Sequence, residues 1–90
     1  MHERSLAKDI VRRALREVKT QERVTSLNIV IGEDEHVAAE ALSLAVVDVS
    51  LNTAAEGTAV HLRGIPGRGV LLETVEIQEG VKCALQCPDG

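Results

Sequence analysis

The alternation of apolar and polar positions divides the chain into two predicted helices and three predicted strands. Apolar residues recur every three or four positions from Ser5 to Lys19, with basic residues between them, and again from Val37 to Leu51. That spacing is typical of amphipathic helices. Residues 24–31, 59–65 and 70–77 alternate as strands do. The predicted order of elements is therefore α-β-α-β-β.

The connections predict how these elements assemble. The second helix joins the first two strands, which favours a crossover between parallel strands. The tight-turn signal at Pro66–Gly69 predicts a hairpin between the last two strands. The apolar parity changes between Leu72 and Val75, which indicates a bulge near Glu73. We expect an α/β (α+β) domain with a small three-stranded mixed sheet and two helices packed on one face.

The chain is long enough for one domain, which we expect at residues 1–79. Residues 80–90 lack a strong periodicity and predict a C-terminal tail that carries Cys83 and Cys87, spaced Cys-x-x-x-Cys. Two thiolates are half of a tetrahedral zinc site, so the tail either bridges a dimer through zinc or is an unstructured end. In a cytosolic protein, reduced thiols or metal ligands are more typical than a disulfide.

The composition excludes several classes of function. The chain contains no Phe, Tyr or Trp, so its core must be aliphatic and nucleic-acid binding by base stacking is excluded. A net charge of -4 argues against nucleic acid or an anionic membrane as a partner. The longest apolar run, Ala41–Val47, is too short to span a membrane and no secretory signal is evident, which predicts a cytoplasmic protein. Without a catalytic motif or a phosphate-binding loop, we do not expect an enzyme.

The first three residues are a candidate metal site. The α-amine of Met1, the backbone nitrogen and ring Nδ1 of His2, and the Glu3 amide can place four nitrogens in one plane, which suits nickel(II) or copper(II). The amine and the amides must lose protons, so affinity should rise with pH. The alternative is an exposed, unused histidine at a frayed end. His36 could approach this site or remain solvated, and His61 is expected on the surface.

Several short motifs occur in a specific order along residues 1–78. They are Met1–Ala7, Ile31–Glu33, Val37 with Glu40–Leu42, Thr53 with Ala55–Gly57, Val60–Leu62, and Gly67–Arg68 ahead of the last strand. This ordered set resembles the HypA/HybF family, the nickel chaperones of nickel-iron hydrogenase maturation. The resemblance implies nickel(II) bound by Met1, His2 and Glu3. It also implies a hydrogenase large-subunit precursor or a maturation GTPase as the partner.

The chain departs from the family pattern at three places. The turn at Ile65–Gly67 replaces the family's zinc ribbon with its Cys-x-x-Cys pairs, so the usual zinc site is absent. Arg4 stands at a usually apolar position, and Asp34–His36 replace a less charged loop. The third departure is the cysteine pair near the C-terminus. An alternative function therefore stays open, a metal-free interaction module that retains the fold within a maturation complex.

Overall fold

The computed structural model describes residues 3–83 of the chain. The predicted α+β class is confirmed, with two helices on a sheet that has four strands instead of three. The elements are α1 (Glu3–Arg16), β1 (Val24–Gly32), a 3-10 turn (Glu33–Glu35), α2 (Ala39–Val49), β2 (Ala59–Ile65), β3 (Val70–Ile77) and β4 (Gly80–Cys83).

The predicted hairpin between β2 and β3 is wrong, because these strands lie on opposite sides of β1 in the sheet order β2-β1-β3-β4. The predicted parallel pairing of β1 with β2 is confirmed. β3 runs antiparallel to β1, and the connection at residues 66–69 crosses the end of β1. There the Gly32 amide donates to the Gly69 carbonyl at 2.7 Å. A tight-turn signal indicates a reversal of direction, but not the side of β1 on which the chain returns.

The predicted bulge in β3 is confirmed. Asn28 pairs with Thr74 and Ile29 pairs with Leu72, so Glu73 has no opposite residue on β1. The extra residue changes which side chains face the helices. As a result Leu72 and Val75, although three positions apart, are both buried.

The prediction of a tail from residue 80 is wrong for its first four residues, Gly80–Cys83, which form β4 against β3. Lys82 fixes this strand to the loop after α1, because its Nζ lies 3.0 Å from the Glu22 carboxylate. A strand this short at the edge of a sheet produces too few alternating positions for the sequence to reveal it. Residues 84–90, including Cys87, lie outside the described residues.

The two helices cover one face of the sheet and bury an aliphatic core with it. Leu27 and Ile29 of β1 are 0% and 1% exposed. They pack against a set of helical side chains: Ala7, Ile10, Val11, Ala14, Leu42 and Val46. The opposite face of the sheet is polar, since Asn28 Nδ2 donates to Thr74 Oγ1 at 2.8 Å. Neither helix within residues 3–83 combines the length and the apolar character needed to cross a membrane.

Candidate metal centre

The start of α1 is attached to the start of α2. The carboxylate of Glu3 accepts a hydrogen bond from the backbone N–H of Ala38, with 3.3 Å between Oε2 and N. Ala38 is the N-cap residue of α2 and has no side-chain oxygen to cap the helix itself. Glu3 therefore supplies the acceptor, and the negative charge, that the N-terminal end of α2 favours.

A second contact fixes the same turn of α1. Arg4 Nη1 lies 2.6 Å from the Asp48 carboxylate near the other end of α2. Both side chains are more than half exposed, so the ion pair contributes little to global stability. Its consequence is local, because Glu3 and Arg4 together hold the first turn of α1 across α2. Arg4 thus has a partner on the neighbouring helix.

Of the three predicted ligands at the N-terminus, only Glu3 is among the residues that the structure describes. Met1 and His2 lie outside the described residues, and Glu3 is the first residue of α1. The amides of a first helical turn have no acceptor within the helix, so deprotonation by a metal at Glu3 breaks no helical hydrogen bond.

The acidic loop after β1 is bound to the connection between β2 and β3. The Asp34 amide donates to the Gly67 carbonyl at 2.9 Å, and Glu35 Oε2 accepts from the Gly69 amide at 2.6 Å. The loop that separates β1 from α2 is therefore held at its first half by this connection and at its end by Glu3.

His36 follows the 3-10 turn in a left-handed conformation, with φ 55° and ψ 36°. Its side chain is exposed. A cleft of about 220 Å³ lies beside it, lined among others by Ile31, Glu33, Val37, Leu62 and Arg63. The residues that line this cleft belong to β1, β2 and the segment leading into α2, and the approach of His36 to the N-terminus stays a prediction.

The other candidate ligands are His61 and the two cysteines. His61 lies on the polar face of the sheet, as predicted, and its Nε2 is 3.1 Å from Ser26 Oγ. Cys83 ends β4, opposite Thr74, and Cys87 lies outside the described residues. Within residues 3–83, no group of three or more His, Cys, Asp or Glu side chains could hold a metal ion.

Two carboxylates have positions that sequence reasoning missed. The sequence motifs indicate no structural partner for Glu3 or Glu35, whereas in the structure their carboxylates accept hydrogen bonds from the amides of Ala38 and Gly69 respectively. One signal was present for the first contact, since a helix that begins Val-Ala-Ala has no capping side chain of its own. The second contact depends on how the chain crosses β1, which the local sequence does not indicate.

Comparison with known proteins agrees with the order of motifs and with the fold. The family model described as HypA, hydrogenase/urease nickel incorporation metallochaperone, matches residues 1–89. No curated protein matches the chain. The match includes the N-terminal residues, both helices and all four strands. The chain belongs to the HypA family of nickel-incorporation metallochaperones.

Proposed function

We propose that this protein binds one nickel(II) ion at its N-terminus and delivers it during maturation of a nickel enzyme. The donors are the Met1 amine, the His2 amide and ring Nδ1, and the Glu3 amide. Four nitrogen donors in a plane suit nickel(II). The family role in nickel incorporation supports nickel over copper as the cargo.

One observation carries the choice of backbone donors. The Glu3 carboxylate bonds to the Ala38 amide, 3.3 Å away, while the Glu3 amide belongs to the first turn of α1. The carboxylate is thereby turned toward α2 and serves that helix. The amide remains the group through which Glu3 takes part in a chelate with residues 1 and 2.

The recipient of the nickel is a hydrogenase large-subunit precursor or a maturation GTPase. A site at a chain terminus is shallow, so a partner can reach the ion and replace the donors one after another. The Arg4–Asp48 ion pair places the outer surface of α2 beside this site. A partner that docks on α2 therefore comes close to the proposed nickel ion.

That same surface supports the second candidate, a metal-free interaction module. Leu44 and Val47 of α2 are 68% and 42% exposed, and Leu51, just after the helix, is 49% exposed. These three side chains follow helical spacing along one side. Exposed apolar side chains that are adjacent in this way are typical of a surface that binds another protein.

Calorimetric nickel titration separates the two candidates. Three proteins are compared: the chain with a free Met1 amine, its His2→Ala variant, and a version with extra residues ahead of Met1. The proposal expects one nickel ion per chain in the first protein and none at this site in the other two. His61→Ala serves as the matched histidine control and should bind nickel as the unaltered protein does. Absence of binding in the first protein, or equal binding in the first three, would contradict the proposal and favour the interaction module.

A further inference from the structure

The sheet ends on one side in β2, a strand with a long free edge. β2 pairs with β1 through all seven of its residues, and no other strand within residues 3–83 pairs with its outer side. The strand contains neither a proline nor a bulge, two features that commonly protect an edge from pairing with another chain. The strand at the opposite edge, β4, has only four residues. β2 therefore offers a row of backbone N–H and C=O groups to a further strand.

One flank of α2 lies over this free edge. α2 contacts β2, whereas α1 contacts β3, so α2 is on the β2 side of the domain. The buried side chains of Leu42 and Val46 mark the side of α2 that faces the core, and the Asp48 bond to Arg4 marks the flank that faces α1. With about 100° between successive residues of a helix, Val47 falls on the flank opposite Asp48. That flank faces away from α1, toward the outer edge of β2.

The exposed apolar side chains of α2 lie on this flank and on the outer surface next to it. Leu44 and Val47 are exposed, and Leu51 is exposed one turn after Val47. A free strand edge and an apolar helix surface are thus adjacent. Strand pairing without apolar cover is marginally stable in water, and these side chains supply the apolar surface that the edge lacks.

A second copy of this chain meets the requirements of such a surface. The partner has to present a strand edge together with apolar side chains above it, and a twofold axis perpendicular to the sheet beside the middle of β2 presents the same two features. It pairs the two β2 strands antiparallel and joins the two sheets into one. It also keeps the helices of both copies on the same side and brings the two α2 helices next to each other.

The polar side chains of β2 do not oppose this pairing. Arg63 Nη2 lies 2.9 Å from both oxygens of the Glu73 carboxylate in the same copy. His61 Nε2 is 3.1 Å from Ser26 Oγ. Because the charge of Arg63 already has a carboxylate beside it, two antiparallel β2 strands bring no uncompensated like charges together.

We infer that this chain forms a twofold dimer in which the β2 strands pair antiparallel and the exposed apolar side chains of the two α2 helices cover one another. The interface uses none of the proposed nickel donors, so the inference does not rest on the proposed function. The flank of α2 that carries Asp48 stays outside the interface, together with its bond to Arg4. The dimer therefore leaves the start of α1 open to a recipient.

Sedimentation velocity of the full chain over a range of concentrations tests the dimer. A chelator and a reducing agent are present, so that neither a metal ion nor a disulfide joins the copies. We expect a dimer whose fraction rises with concentration. Val47→Glu places a charge within the interface and should raise the dissociation constant at least about tenfold. Val47 is 42% exposed, so the variant should keep its fold, which circular dichroism verifies.

Hydrogen exchange tests the strand pairing separately. Alternate amides of β2 point to its outer edge, and they should exchange slowly in the dimer and faster in Val47→Glu. The control is Val81→Glu, which adds the same charge on β4, at the opposite edge of the sheet, where Val81 is 64% exposed. This control should dimerise as the unaltered protein does.

Four results would overturn the inference. They are a monomer at every concentration, which would leave the α2 surface to a different protein, a dimer that withstands Val47→Glu, a dimer without slowed exchange in β2, and a dimer broken by Val81→Glu. None of these measurements involves nickel. Failure of the inference therefore leaves the proposed function standing, and the nickel titration tests that function by itself.

Discussion

The carbonyl oxygen of Gly67 lies 2.5 Å from the point that a Cβ atom would occupy at Gly32. Gly32 ends β1, and the connection from β2 to β3 crosses directly over it. A hydrogen atom at this position lets the connection stay close enough for the Gly32 amide to reach the Gly69 carbonyl, at 2.7 Å. The short connection between β2 and β3 therefore requires glycine beneath it.

Gly32→Ala should destabilise the fold, because the added methyl group meets the backbone of Gly67 and Arg68, which cannot move aside as a side chain would. Forcing extra atoms into a close-packed contact costs roughly 1–3 kcal/mol in the free energy of unfolding. In a domain of this size that lowers the melting temperature by about 4–8 °C per kcal/mol. Thermal unfolding followed by circular dichroism measures the change, since the chain has no aromatic fluorophore.

The matched control is Gly64→Ala. A Cβ at Gly64 meets the flexible Glu33 side chain at 3.7 Å, an ordinary contact distance. Gly64 has no positive φ, so the substitution introduces no backbone strain. The two variants should differ clearly in melting temperature. An equal effect of both would show that the connection between β2 and β3 does not pack closely over Gly32.

Glu35→Ala should destabilise the same region through a lost hydrogen bond. The Glu35 carboxylate is the acceptor for the Gly69 amide at 2.6 Å, and Glu35 is only partly exposed. Removing an acceptor of this kind costs about 1–2 kcal/mol. Hydrogen exchange of the Gly69 amide should accelerate more than exchange in α1. Asp34→Ala is the neighbouring control, because Asp34 is exposed and it is its backbone amide that bonds to the turn. Comparable losses of stability in Glu35→Ala and Asp34→Ala would indicate that the removed negative charge, and not the lost bond to Gly69, causes the effect.

The stability of the protein should depend on the ionisation of Glu22. The pKa of the Glu22 carboxyl is lowered by the hydrogen bond from the Lys19 amide, at 2.8 Å, and next by the Lys82 ammonium, at 3.0 Å. A group whose pKa is lower in the folded protein stabilises it above the pKa of the unfolded chain, about 4.3 for glutamate. This contribution is lost as the pH falls through the lower, folded pKa.

Glu22→Gln should therefore flatten the dependence of melting temperature on pH in the acid range, from about pH 5 downward. Lys82→Met should flatten it in part, because the bond from the Lys19 amide remains. The lysine control is Lys8→Met, on the exposed side of α1, which should leave the dependence unchanged. Faster hydrogen exchange in β4 of Lys82→Met would show that this contact also fixes the edge strand.

The spacing of apolar residues predicted most of the fold, because in each helix and strand the buried side chains recur with the period of that element. β2 and β3 begin and end where the alternation does, at Ala59–Ile65 and Val70–Ile77. The side of β1 on which β3 pairs could not be read from the sequence, because the contact between Gly32 and Gly67 is not local. The edge strand β4 was missed for a related reason, since its pairing with β3 supplies the order that four residues lack.

For the candidate site, the sequence indicated which donor atoms could bind a metal, but not how the site is attached to the rest of the fold. Met1, His2 and Glu3 stay a predicted donor set, and the family match supports nickel as the metal. The bond from Ala38 to the Glu3 carboxylate joins residues 35 positions apart, and no local pattern indicates it. This contact gives the Glu3 carboxylate a role at the start of α2 that is distinct from the predicted role of the Glu3 amide as a donor.

Glu3→Pro and Glu3→Ala together test the proposed role of the Glu3 amide as a nickel donor. Proline is well tolerated at the first position of a helix, and Glu3 begins α1. It has no N–H to lose, so it cannot provide an amide donor. Both variants lack the carboxylate, and both should lose about 1 kcal/mol because Ala38 loses its acceptor.

The nickel affinities of the two variants should then diverge. With the amide as donor, Glu3→Ala binds nickel about as tightly as the unaltered protein, and Glu3→Pro binds it at least about tenfold more weakly. Calorimetric titration on proteins with a free Met1 amine measures both. Equal weakening in the two variants would contradict the amide as donor, because both variants lack the carboxylate and Glu3→Ala keeps the amide. It would point instead to the carboxylate, whose Oε2 accepts from the Ala38 amide and whose second oxygen could then face the ion.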